Sequence, residues 1–246
     1  VKFWIGCSGW QYRHWKGRFY PDDLPQKRWF EFYARHFTTV EINNSFYRFP
    51  RLKNVQAWYA AAPHGFKFSV KVNRAITHMR LFYKTERMIR DFYSIADALD
   101  DKMGCLLFQM PERLIYKPEH LSRILDQLDT RWPNVLEFRH AGWWRPDVFE
   151  ALRQRGVSFC AVASAKLPSS VPPVDPTAYV RFHGGDDYST RSLKIWARKI
   201  RGCGAEDAWV YFNNDANAYA VKNALELASI VRGTSRTRGP GSSHWD

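Results

Sequence analysis

The chain has 246 residues with a formal charge of +13 and a pI near 9.7, and 45% of its residues are hydrophobic and 16% aromatic. That is enough chain for one sizeable core and a single domain, and the basic surplus favours anionic partners such as nucleic acid or phosphorylated substrates. No apolar run approaches the roughly 20 residues of a membrane-spanning helix, so no membrane partner is expected.

The start, VKFWIGCSGW, lacks the basic, apolar and small-residue layout of a secretory signal. Cys7, Cys105, Cys160 and Cys203 lie far apart with no C-x-x-C pair, which points to reduced thiols and not to a zinc knuckle or redox dithiol. Together these features predict a cytoplasmic protein.

Strand patterns recur eight times: Phe3 to Cys7, Thr39 to Asn43, Phe66 to Lys71, Cys105 to Met110, Val135 to Arg139, Ser158 to Ala163, Ala178 to His183, and Ala208 to Asn213. Helical stripes fill most of the gaps. Phe30, Tyr33 and Phe37 mark the first; Met88, Phe92, Ile95 and Leu99 a longer one; Leu121, Ile124, Leu125 and Leu128 another, opened by Pro118. Pro146 opens the next, and Val221, Ala224, Leu225 and Ala228 stripe the last. Alternating strands and helices predict an α/β fold, a single (β/α)8 TIM-barrel-like domain over residues 1–232. Between the sixth and seventh strands, AKLPSSVPPVDPT carries four prolines and no stripe, so an extended Pro-rich crossover replaces the helix. Residues 233–246, GTSRTRGPGSSHWD, read as a disordered tail or a cloning remnant.

The stretch Asn134 to Trp144, NVLEFRHAGWW, shows where chemistry would sit. Side chains two apart share a strand face, so Val135, Glu137 and Arg139 point one way while Leu136 and Phe138 point the other. One face begins apolar and ends in an acid and a base, which suits a barrel strand packed at its root and functional at its mouth. The same device recurs at Glu41 and Asn43, Ser69 and Lys71, Leu107 and Gln109, Arg181 and His183, and Tyr211 and Asn213. The competing reading is that Glu137 with Arg139, and Glu41 with Lys71, are buried ion pairs that close the core.

GCSGWQYRHWKGRFYP, VEINNSFYRFP, FKFSVK, QMP, EFRHAGWW, RFHG and YFNN, in this order, make the chain resemble the YecE-like family of TIM-barrel proteins, a domain of unknown function, from Phe3 to about Arg232. The resemblance implies a (β/α)8-like barrel and singles out Glu41, Asn43, Lys71, His78, Gln109, Glu137, Arg139, His140, Arg181, His183, Asn213 and Asn214. It implies no particular reaction, and the likeness of such barrels to those of endonuclease IV and xylose isomerase is one of fold. The chain departs from the family after the sixth strand, where FCAVASAK offers Ser164 in place of an acid.

Lys71, Arg139 and Arg181 outnumber Glu41 and Glu137, and His140 and His183 can add to the positive side, so the predicted pocket favours an anion. Within it Glu137 is expected as general base and His183 as acid, with Lys71 and Arg181 stabilising charge and Gln109, Asn43 and Asn213 orienting the substrate. A divalent metal on two Glu and several His is the rival arrangement, disfavoured by the surrounding cations; no cofactor is expected. Trp10, Tyr12, Trp15, Phe46, Tyr47, Trp143, Trp144 and Tyr188 fall in the loops after strands, interleaved with Arg13, Lys16, Arg18, Arg48 and Arg145. They would stack bases or sugars, or else close the barrel top as aromatic clusters. The leading expectation is a hydrolase-like enzyme acting on a phosphate-bearing small molecule or on nucleic acid. The alternatives are a sugar-acting barrel that uses Glu41 and Glu137 as a pair, and a non-catalytic nucleic-acid binder.

Overall fold

The eight expected strands all form in the computed structural model, which describes residues 1–172 and 177–233. They are β1 (Lys2–Cys7), β2 (Thr39–Ile42), β3 (Lys67–Lys71), β4 (Met103–Gln109), β5 (Asn134–Glu137), β6 (Ser158–Ala163), β7 (Thr177–Phe182) and β8 (Asp207–Phe212). Every ladder is parallel, in the order β1, β8, β7, β6, β5, β4, β3, β2. The alternation of apolar and polar positions therefore turns one face of each strand into a barrel interior and the other towards the helices.

Among the described residues seven α-helices cover the outside: α1 (Trp29–His36), α2 (Leu52–Ala61), α3 (Glu86–Leu99), α4 (Pro118–Leu125), α5 (Pro146–Gln154), α6 (Thr190–Arg201) and α7 (Tyr219–Arg232). Pro118 and Pro146 occupy first-turn positions, where a missing N–H removes no hydrogen bond. The stripe of α3 buries Ile89, Phe92, Ile95 and Leu99 against the barrel, with Met88 at its half-buried margin. Ser189 caps α6 by accepting the Ser192 N–H at 3.2 Å, and Arg198, Lys199 and Arg201 in its last turn complement the helix dipole. As the prolines predict, residues 164–172 after β6 contain no helix. Gly233, at a φ of 74°, terminates α7, and the expected tail from 234 onward lies outside the described residues.

β1 and β2 lie side by side without a shared ladder, and two residues close the seam between them. A Cβ on Gly6 would sit 2.2 Å from the Thr39 carbonyl oxygen, so only glycine permits this approach. Tyr33 of α1 inserts its hydroxyl alongside, accepting the Cys7 N–H at 2.8 Å and donating to the Thr39 carbonyl at 3.0 Å. A side chain thus replaces the missing rung.

The barrel interior fills in layers from its amino end. Trp4 and Trp209 stack at 5.0 Å across the bottom, with the Trp4 indole N–H on Asp207 at 2.9 Å. Gly104 lies where the β3 and β4 register shifts, and a Cβ there would come within 2.9 Å of the Trp209 ring. In the middle the Tyr211 hydroxyl meets Ser69 at 2.8 Å and Thr39 at 2.6 Å. The buried charges, Glu41, Lys71, Glu137 and Arg181, lie above this level.

Replacing Tyr33 with Phe keeps the ring but strips the hydroxyl, leaving a buried N–H and a buried C=O unpaired across the seam. The expected cost is about 1–3 kcal/mol, read as a lowered urea midpoint at unchanged helix content; an unchanged midpoint would mean that packing alone closes the barrel.

Candidate active site

Above the tyrosine layer sits Arg181 of β7, fully buried between carboxylates from two other strands. Its Nε and Nη2 grip Glu41 of β2 at 3.0 and 2.8 Å, and its Nη1 reaches Glu137 of β5 at 2.9 Å. Glu41 also accepts from Ser8 at 2.6 Å and from the Tyr179 hydroxyl at 2.7 Å, so donors surround both of its oxygens. Glu137 accepts from Gln109 at 2.9 Å and contacts the Arg139 guanidinium. Burial raises the Glu137 carboxyl, but Arg181, Arg139 and Lys71 outweigh it and hold the group at about 2. The same two carboxylates hold the Arg181 pKa well above its ordinary value despite its burial.

Lys71, Arg139 and His183 lie further out. Lys71 ends β3 with its ammonium 4.0 Å over the Phe46 ring, and burial together with Arg181 lowers its pKa to about 8. It hydrogen-bonds to no acceptor among the described residues. Arg139 turns Nε towards Glu137, which leaves its terminal nitrogens without a described acceptor. His183, half-buried, takes a 3.1 Å contact from the Asn213 amide on Nδ1, and burial with Arg139 and Arg181 lowers it to about 4. It is therefore neutral at physiological pH and carries its proton on Nε2. His78 is held near 4 by burial and by Lys71, with Nδ1 on Thr77 and its ring edge-on to Phe46. The carboxamide oxygen of Asn43 is buried without a donor. A cleft of about 290 Å3 lined by Ser164, His183, Gly184 and Tyr188 adjoins this rim.

The structure thus brings Glu41, Glu137, Arg139, Arg181, Lys71 and Gln109 into one cluster, with His183 paired to Asn213 at its edge. Other expectations need correction. Trp143 is fully buried behind β5, stacked on Phe138 at 3.9 Å with its N–H on the Leu114 carbonyl, because Phe138 faces the helix layer. Trp10 packs against Phe30 and Trp58 between the barrel and its first two helices. Trp15 and Phe46 are buried as well, so of the eight rings expected over the mouth only Tyr47, at 67% exposure, is largely exposed. Asn214 is an internal tie, donating to the Asp186 carbonyl and to Asn223, both at 2.8 Å. His140 caps its own turn by accepting the Gly142 N–H. Two contributors were missed, Ser8 and Tyr179; the second lay in view, two residues before Arg181 on the same strand face. Among the described residues no group of three or more His, Cys, Asp and Glu is arranged to hold a metal, and no helix is long and apolar enough to cross a membrane. All four cysteines are free thiols, three of them buried.

An eight-stranded parallel barrel whose charges collect at the carboxyl ends of its strands defines a TIM-barrel-like protein with its candidate site at the mouth. The chain belongs to the family described as "Protein of unknown function DUF72", which it matches over residues 4–243. It is 24% identical to the UPF0759 protein YunF of Bacillus subtilis over 93% of this chain and 94% of that protein. To the UPF0759 protein YecE of Escherichia coli K12 it is 25% identical, covering 69% and 73%. A DUF72 family protein from Thermotoga maritima superposes with a TM-score of 0.85 at 24% identity, covering 94% of this chain and all of the other. D-psicose 3-epimerase shares the fold more distantly, with a TM-score of 0.56 at 9% identity over 95% and 99% of the two chains.

The depressed Glu137 pKa sets a pH dependence. Its contribution to stability is complete above the ordinary value of 4.5 and disappears as pH falls towards about 2. Glu137→Gln should cost about 3–5 kcal/mol near neutrality, since Arg181 and Arg139 lose their shared anion. Denaturant titrations across the acid range should show the gap between parent and variant closing as pH falls through that window; a gap independent of pH would remove Glu137 as the titrating anchor.

Proposed function

We propose that the barrel mouth is the active site of an enzyme acting on a phosphate-bearing substrate, hydrolase-like in kind, with nucleic acid the favoured bearer of the phosphate. One observation carries this reading. Glu41 is taken by Arg181 and Glu137 is shared by Arg181 and Arg139, while Lys71 and the terminal nitrogens of Arg139 have no described acceptor, so two carboxylates stand against three cations and the unneutralised charge of the cluster is positive. Arg binds phosphate through paired N–H groups and Lys adds a point charge beside it.

The roles follow from the protonation states. A carboxyl held at about 2 is a weak base, so the geometry moves Glu137 from proton acceptor to anchor of the cations. A glycosidase pair needs one carboxyl free to protonate the leaving group, whereas Arg181, Ser8 and Tyr179 occupy Glu41 and Arg181 and Gln109 occupy Glu137, which counts against the sugar-cleaving alternative. Lys71, at about 8, has free base available near neutrality, and neutral His183 can donate from Nε2 to a developing oxyanion.

Nucleic acid is favoured by the rim. Tyr47, Met79 and Tyr83 are exposed in the loops after β2 and β3, with Arg74 5.5 Å from the Tyr47 ring and Arg123 3.7 Å from the Tyr83 ring. Exposed rings beside cations suit unpaired bases, and the net charge of +13 supplies long-range attraction.

Binding of inorganic phosphate by calorimetry, and of a labelled single-stranded oligonucleotide by fluorescence anisotropy, tests both levels. Arg139→Met should weaken phosphate binding about 10- to 100-fold, and oligonucleotide affinity should fall steeply with salt. Tyr47→Ala should weaken the oligonucleotide about 5- to 100-fold and leave phosphate unaffected. Absence of phosphate binding at low salt, or an Arg139→Met protein indistinguishable from the parent, defeats the reading.

A further inference from the structure

We infer that Lys71 is a carbonyl-reactive amine: the mouth receives an open-chain sugar phosphate, and Lys71 Nζ condenses with its aldehyde or ketone carbon to form an imine. The inference builds on the phosphate reading and narrows its substrate class.

A lysine kept for structure is expected to hold a carboxylate. Lys71 is only 6% exposed and shares a cluster with Glu41 and Glu137, yet Arg181 and Arg139 take both acids and leave its nitrogen against the face of Phe46. The groups bearing on it from other elements are Arg181 of β7, Glu137 and Arg139 of β5 and its extension, Glu41 of β2, and His78 after β3. Burial and Arg181 favour the free amine and outweigh the pull of the two glutamates, which populates the nucleophile close to neutral pH.

The backbone beneath is fixed. The Ser45 hydroxyl lies between the Ile42 and Lys71 carbonyls at 2.9 and 2.6 Å, the Asn73 amide bonds the Ser45 carbonyl at 2.9 Å, and the Val72 N–H continues the ladder to Leu107 at 2.8 Å. The side chain therefore leaves from a rigid strand end, as a positioned nucleophile requires.

In the reaction the neutral amine's lone pair forms a bond to the carbonyl carbon while the C=O π pair moves to oxygen. Transfer of a proton from the new ammonium to that oxygen gives a carbinolamine. A second proton completes water as the C–O bond breaks, and loss of the remaining N–H proton yields the neutral imine: amine plus carbonyl gives imine plus one water, with no oxidant or reductant. Arg139 would hold the phosphate, and the Nε2–H of His183 would bond the carbonyl oxygen. Such an imine, once protonated, withdraws electrons from the adjacent carbon and so permits proton loss or bond cleavage there. Free sugar phosphates and the ring-opened deoxyribose of an abasic nucleic-acid site share this chemistry.

Reductive trapping tests it. The full chain is incubated with cyanoborohydride and ribose 5-phosphate, unphosphorylated ribose, or an abasic-site oligonucleotide, and the adduct, the carbonyl compound less one oxygen, is located by peptide mapping. Lys71 should be labelled at least about tenfold faster than the exposed Lys84 and Lys117 near neutrality, with its rate rising to a plateau above about pH 8. Lys71→Arg, which keeps the charge, should abolish the fast adduct, and inorganic phosphate should slow it in the parent. Whichever phosphorylated probe reacts faster identifies the source of the sugar. Labelling of Lys71 no faster than of the surface lysines, or undiminished in Lys71→Arg, overturns the inference even if phosphate binds. Fast labelling of Lys71 by ribose and ribose 5-phosphate alike, unprotected by phosphate, supports the amine chemistry and defeats the phosphate reading instead.

Discussion

Arg181 carries a full charge with no exposure to solvent, and an unpartnered ion so placed costs several kcal/mol. Its partners come from β2 and β5, strands distant from β7 around the barrel, so the guanidinium can be satisfied only when three separate parts of the wall stand at the correct height and rotation. A register slip of one residue on any of the three would turn a charge into the helix layer. The requirement spreads through the interior. Ser8 and Tyr179 complete the shell of Glu41, Gln109 and Arg139 that of Glu137, and the tyrosine layer below keeps both carboxylates dry.

This arrangement also decides which groups remain available for chemistry. Carboxylates are the usual acid and base candidates in a barrel, but here they are neutralised from within. What remains is a set of nitrogen groups: an amine, the terminal nitrogens of a guanidinium and a neutral imidazole. That inventory suits a substrate that brings its own negative charge and an electrophilic centre. On the function proposed above, a ligand would complete the barrel's polar rim at the unpaired Asn43 oxygen and the Lys71 ammonium.

The fold was legible from local pattern. Period-two alternation located all eight strands, helical stripes and first-turn prolines located five of the seven helices among the described residues, missing α2 and α6, and the prolines foretold that residues 164–172 after β6 form no helix. The cluster was partly legible for the same reason: Glu137 with Arg139, and Arg181 with His183, share a strand face by arithmetic alone. The aromatic loops misled, since a tryptophan after a strand can turn over the mouth or fold back beneath a helix, and its type is the same in both cases. Trp143 folds back because Phe138, the residue facing away from the site, offers it a stacking partner in the helix layer.

The sequence by itself determined the architecture, the polar ends of the strands and the identity of their ionisable groups, because strand periodicity acts over two residues and helix periodicity over four. Only the tertiary structure decided which charge meets which. Arg181 takes both glutamates, Lys71 is left without one and His183 is left neutral, since these outcomes depend on distances between residues up to 140 positions apart and on exclusion of water from between them. Burial in common changes what a side chain can do, and it does not exist until the barrel has closed.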